Sequence, residues 1–143
     1  LKQTGEYENT LILFLSDNGA SAEIMVRGDG HDPQAEAGSA ASYLCLGPGW
    51  SSAANTPMRR HKTWVHEGGI STPLIVHWPQ QTDGAGQWRH SEGHVIDIAP
   101  MIMENADGKR PDKAGAIEEP PTPGRSLART VNSERPGERE VLW

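Results

Sequence analysis

Five large apolar residues in a row, Leu11-Ile12-Leu13-Phe14-Leu15, stand between Asn9-Thr10 and Ser16-Asp17-Asn18-Gly19. The run is short, does not alternate and is flanked by turn-formers, which predicts a strand buried on both faces. A buried helix segment is the competing reading. Burial on both faces points to an α/β sandwich with a central, mostly parallel sheet flanked by helices. A second strand is predicted over Thr72-Pro73-Leu74-Ile75-Val76-His77-Trp78-Pro79, where the prolines suit strand ends better than a strand middle. Between the two, residues 20–57 are rich in Gly, Ala and Ser and nearly without periodicity. A loop of that length inside a compact protein is usually functional or disordered. Gly47-Pro48-Gly49 reads as a turn within it. Met58 to Glu67 is a short polar and aromatic stretch, broken by Gly68-Gly69. Gln80 to Glu92 reads as a polar loop. Asp97 then suits the N-cap of a helix starting at Ile98, with Pro100 in the first turn, where a missing N–H costs little. Met101-Ile102-Met103 would face the sheet, and Gly108 falls near the helix end. From Lys109 to Pro136 the chain is charged and proline-rich, with Glu118-Glu119-Pro120-Pro121-Thr122-Pro123-Gly124 as a stiff connector. No internal repeat is visible.

Composition narrows the class. The 143 residues suffice for one ordinary domain, yet only 35% are hydrophobic and they include 16 glycines and 11 prolines. With a mean hydropathy of -0.62, much of the chain is expected to be loop. The sequence opens on Leu1 and closes on Glu140-Val141-Leu142-Trp143, which reads as a strand just beginning. An internal piece of a longer protein is therefore expected. The net charge of -6 supplies no basic field to attract a phosphate backbone, which argues against nucleic acid as a partner. No apolar run approaches the roughly 18 residues of a membrane span. A single cysteine, Cys45, excludes an internal disulfide framework. Oligomeric state is not readable.

Two segments carry candidate chemistry. Asp17-Asn18-Gly19 follows the first predicted strand directly, at its carboxyl end, where open α/β sheets bind ligands. A carboxylate beside a neutral amide oxygen makes two hard donors suited to Ca²⁺ or Mg²⁺. Taken alone, the tripeptide is also good turn chemistry. The second segment is Arg59-Arg60-His61-Lys62, followed by Thr63-Trp64-Val65-His66-Glu67-Gly68-Gly69. It is the one dense basic cluster of an acidic chain. A fixed cation there would stabilise a tetrahedral anion and the charge on its leaving oxygen. Taken alone, it reads equally as a solvated basic face. His31, between Asp29 and Asp32, is read as a solvated loop residue rather than a metal ligand. His66 and His77 read as packing or hydrogen-bonding residues, and His90 and His94 flank a surface loop. Trp50, Trp64 and Trp78 read as partly buried anchors, with Trp50 open to a role at a substrate mouth.

In their order along the chain these segments resemble the sulfatases. Thr10 to Gly19 is similar to the family's strand ending in a metal-binding Asp-Asn pair. Asn55-Thr56-Pro57-Met58-Arg59-Arg60-His61-Lys62 through Glu67-Gly68-Gly69 to Pro79 resembles the lysine and Glu-Gly-Gly segment of bacterial arylsulfatases. His94-Val95-Ile96-Asp97-Ile98-Ala99-Pro100 and Pro123-Gly124-Arg125-Ser126-Leu127 resemble later family segments. The ordered series outweighs the turn-only and basic-face readings. It implies an alkaline phosphatase-like fold, of which residues 1–143 would be a partial catalytic domain. It also implies hydrolysis of small-molecule or glycan sulfate esters, with Ca²⁺ and a formylglycine hydrate as nucleophile. By the resemblance, Asp17 and Asn18 match two calcium ligands. Lys62, five residues before Glu67 as in the family, matches the lysine that contacts the sulfate and its leaving oxygen. A periplasmic or secreted location is implied by the resemblance alone.

Departures from the family pattern bound the expectation. Cys45 is followed by Leu46-Gly47-Pro48-Gly49, which is not the Cys-x-Pro-x-Arg modification motif. The nucleophile, its arginine, the catalytic histidine and the two further calcium aspartates are expected upstream, in the longer parent. Two other hypotheses stand beside the sulfatase. One is a phosphate or phosphonate ester hydrolase of the same superfamily, although Asn18 suits calcium better than the zinc favoured by a histidine there. The other is a truncated piece, inert by itself.

Overall fold

The computed structural model describes residues 1–26, 28–108, 113–114, 117–118 and 123–133. The closing Glu140 to Trp143, and most of the proline-rich connector, lie outside the described residues. The described residues are of mixed α/β type. The first strand, β1 (Ile12–Leu15), pairs with β2 (Leu74–His77). Two short strands, β3 (Lys113–Ala114) and β4 (Ile117–Glu118), pair antiparallel. The mostly parallel central sheet expected from the sequence is not seen among these elements.

β1 forms where expected, but its burial differs. Half-buried Leu13 and Leu15 alternate with exposed Ile12 and Phe14, and Phe14 is 70% exposed. Successive side chains of a strand point to opposite faces. With β2 as its sole described neighbour, β1 has one face with no layer packed on it, so an unbroken apolar run does not bury both sides.

The chain divides into two compact units. One comprises the described residues of 1–12 and 76–143. Within it, Gln80 N–H donates to the Glu8 carbonyl at 3.2 Å, and the Tyr7 and His77 rings lie 4.8 Å apart. Its apolar centre is Met101, 1% exposed, with Leu127 also buried. Met101 lies on the helix Ile98–Asn105, which begins at the predicted residue and has Pro100 in its first turn. Ile102 is exposed while Met103 is half-buried, so the Met-Ile-Met run does not turn to the core as a whole. Asp97 precedes the helix but its side chain does not cap it. It is fully buried and turns back to accept His94 N–H at 2.9 Å and Arg125 N–H at 2.8 Å. Asp97 therefore ties the Val95–Asp97 3-10 turn to the segment before the short helix Ala128–Val131.

The other unit spans Leu13–Ile75. Its long loop is partly ordered as an antiparallel ribbon. Val26 bridges Leu44, Cys45 N–H donates to the Met25 carbonyl at 3.1 Å, and Gly47 N–H to that of Glu23 at 3.0 Å. Gly47-Pro48-Gly49, predicted as a turn, opens a helix over Gly47–Ala54 instead. The same residues permit both, since proline is favoured in a first helical turn, where its N–H would have no partner. Asn55 closes that helix, and a cis peptide links Thr56 to Pro57. The Gly68-Gly69 pair does not break the chain into coil. It lies inside a one-turn helix, Glu67–Ile70.

Candidate active site

The end of β1 and the basic cluster lie in the same unit and meet through backbone bonds. Thr72 Oγ1 donates to the Ser16 carbonyl at 2.7 Å. Gly19 N–H donates to the Gly69 carbonyl at 3.0 Å, and Lys62 N–H to the Ala20 carbonyl at 3.0 Å. The backbone of Lys62 is thus fastened two residues beyond Asn18. Asp17 and Lys62 are exposed and Asn18 is half-buried, so both ends of the candidate pair have solvent-facing side chains.

The glycines make this meeting possible. Gly19, Gly68 and Gly69 are all buried. A Cβ on Gly68 would overlap the Arg59 and Arg60 carbonyls, and one on Gly69 the Trp64 and His61 carbonyls. A Cβ on Gly19 would in turn strike Gly68. The basic loop therefore wraps its carbonyls onto two residues that have no side chain. Gly68 N–H returns a bond to the Arg59 carbonyl at 2.9 Å.

The loop so held is unusual in its dihedrals. Arg60 has φ 72° and Thr63 φ 84°. Positive φ is uncommon for a non-glycine residue and costly for a β-branched one, and such residues persist only where their surroundings hold them. Lys62 lies between the two. The Arg60 guanidinium stacks over the Trp64 ring at 4.3 Å, and Trp64 meets His66 edge-on at 5.8 Å.

Asn55 is a member of the site that the sequence reading quoted but gave no role. Its Oδ1 accepts Ala20 N–H at 2.9 Å, while its Nδ2 donates to the Arg60 carbonyl at 3.1 Å and the Gly68 carbonyl at 2.8 Å.

The Asp17 carboxylate and Asn18 amide fit a hard cation in kind. In number they are a partial set, since Ca²⁺ takes 6–8 oxygens. Among the described residues no group of three His, Cys, Asp or Glu side chains is placed to hold a metal. His31 is engaged locally: its Nδ1 accepts Tyr43 N–H at 3.2 Å. Cys45 is a half-buried free thiol. Among the described residues no helix is long and apolar enough to cross a membrane.

Comparison with known proteins gives a consistent set of similarities. A family model described as Sulfatase matches residues 1–108. The chain is 36% identical to an arylsulfatase of Klebsiella aerogenes over 126 residues, which is 80% of this chain and 26% of that protein. It is 28% identical to a sulfatase of Formosa agariphila across 99% of this chain and 20% of that protein. It is 29% identical to an N-acetylgalactosamine-6-sulfatase of Rattus norvegicus across 78% of this chain and 17% of that protein. The chain thus spans about a quarter of the first relative's length and less of the others.

Proposed function

Because the chain belongs to the sulfatase family, we propose that it is part of a sulfuric ester hydrolase, acting on an aryl or glycan sulfate, and contributes the anion-holding and part of the cation-holding side of that enzyme's site. The observation that carries this reading is the bond from Lys62 N–H to the Ala20 carbonyl, which fixes the basic loop two residues from the Asp17-Asn18 pair. The surrounding protein on this reading is an alkaline phosphatase-like sandwich, exported from the cytoplasm, and the nucleophile, a formylglycine hydrate in the family, belongs to the larger part of it.

Asp17 and Asn18 would hold Ca²⁺, which when bound supplies Lewis-acid polarisation of a sulfate oxygen. Lys62 does two things in this scheme. Its ammonium attracts the sulfuryl anion, and it steadies the leaving oxygen as the S–O ester bond breaks and negative charge gathers there.

Lys62→Ala in the full-length parent tests the assignment. Aryl sulfate turnover should fall by roughly 10²–10³-fold, the usual cost of removing one charge-stabilising donor. Unchanged turnover would remove Lys62 from the site. Turnover of aryl phosphate exceeding that of aryl sulfate would move the parent to the phosphoryl branch of the superfamily.

A further inference from the structure

We propose that Asn55 is a positioning residue that sets the conformation of the Lys62 loop through its side-chain amide. The inference rests on the role given to Lys62 above. Asn55 ends its helix, with its own N–H bonded to the Ser51 carbonyl at 3.1 Å, so its backbone is anchored before the side chain reaches out. That side chain then joins three separate segments: the loop after β1 at Ala20, the basic cluster at Arg60, and the glycine pair at Gly68.

The partners dictate the residue type. Arg60 and Gly68 present carbonyl oxygens, which require donors, and Ala20 presents an N–H, which requires an acceptor. A primary amide of this length has both functions. A carboxylate of the same shape would face two carbonyls with oxygen and keep only the bond to Ala20. Ala20 meanwhile bonds Asn55 through its N–H and Lys62 through its carbonyl, so one residue transmits the amide's position to the lysine. The clasp also bears on the strained stretch, because the Arg60 carbonyl that it holds belongs to a residue at φ 72°. Without an outside restraint such a residue relaxes towards negative φ, and Lys62 moves with it.

The experiment is a double-mutant cycle in the full-length parent, run on aryl sulfates whose leaving phenols differ in pKa. Lys62→Ala is measured first, to separate the lysine's role from the clasp. If Lys62→Ala alone leaves turnover intact, it is the lysine's role that fails, and the positioning claim falls with it. Given a lysine effect, Asn55→Asp and Asn55→Ala should each lower kcat by roughly 10–10²-fold, as for an ångström-scale misplacement. The loss should be greatest for the poorest leaving groups and should vanish when Lys62 is already Ala. The inference is overturned if either Asn55 variant retains full turnover. It is also overturned if both variants lose the same factor on every ester and again in the Lys62→Ala background, as a loss of folded enzyme would produce. Failure of both variants to fold overturns it too, since Asn55 would then hold the chain rather than the lysine.

Discussion

Replacing Gly68 by Ala adds one methyl group where the structure has no room for it. The new Cβ would lie 2.5 Å from the Arg59 carbonyl oxygen and nearer still to that of Arg60. An ordinary carbon–oxygen contact is about 3.3–3.6 Å, so the two carbonyls must retreat by roughly 1 Å. Both are backbone atoms, and no side chain can swing away to absorb the change. Three bonds feel the shift: Gly68 N–H to the Arg59 carbonyl, and both donations from Asn55 Nδ2. Overpacking of this kind costs about 1–3 kcal/mol of stability. The larger effect falls on Lys62, two residues beyond Arg60, because a 1 Å misplacement can cost roughly 10²-fold in rate. That is about 2.7 kcal/mol of transition-state stabilisation. The assay is kcat/KM for an aryl sulfate in the full-length parent, with thermal melting alongside. Gly49→Ala is the matched control: its Cβ would meet nothing within 4 Å, and it lies in a helix, where Ala is favoured over Gly by about 0.5–1 kcal/mol. Wild-type kcat/KM in Gly68→Ala would refute the view that the glycine exists to let the basic loop close.

Three other outcomes follow from the same structure. Asp97→Ala strands two backbone N–H groups in a buried position, so the parent should lose about 2–6 kcal/mol at about 1–3 per orphaned group, read by denaturant titration; an unshifted midpoint would contradict the burial assigned to Asp97. Chelation of divalent cations should abolish aryl sulfate turnover, Ca²⁺ should restore it better than Zn²⁺, and Asp17→Ala should raise the Ca²⁺ needed for half-maximal recovery; restoration by Zn²⁺ alone would argue for a different metal. The isolated 143-residue chain should show no sulfatase activity and no sharp cooperative melt, measured by circular dichroism and aryl sulfate hydrolysis; turnover by this chain alone would refute the partial-site reading.

Elements whose cause is local were legible in the sequence. β1 and β2 follow from short apolar runs closed by turn-formers and prolines, and the helix at Ile98 from the placement of Pro100, while Asp97, read as its cap, turns its side chain to other partners. The same logic misjudged Gly47-Pro48-Gly49, because a proline between glycines suits a turn and a helix start alike. Phe14 was misread for another reason. A run of apolar residues reports what a strand is able to bury, while actual burial depends on which layers lie against it. Within the candidate site, Asp17 and Asn18 were picked out by residue type and place after the strand, and Lys62 by the family resemblance. Asn55 and the reason for Gly68 were not, because both act on backbone carbonyls far along the chain. A hydrogen bond to a carbonyl leaves no mark on the partner's side chain, and hence none in its letter.

The exposure of Lys62 sets a limit on what this segment achieves alone. Two unit charges 4 Å apart interact by about 1 kcal/mol in bulk water and about 4 kcal/mol at an effective dielectric near 20. A leaving-group effect of roughly 10²–10³-fold requires about 2.7–4 kcal/mol. An exposed lysine lies near the first figure, so the wet site falls short by a factor of three or so. Closing the gap requires excluding water around the ammonium. The backbone clasp of Asn55, Gly19, Gly68 and Gly69 solves a different problem, that of orientation. Geometry and desolvation are therefore separable on the proposed reading: the clasp holds the backbone that carries Lys62, and excluding water around its ammonium is a separate requirement.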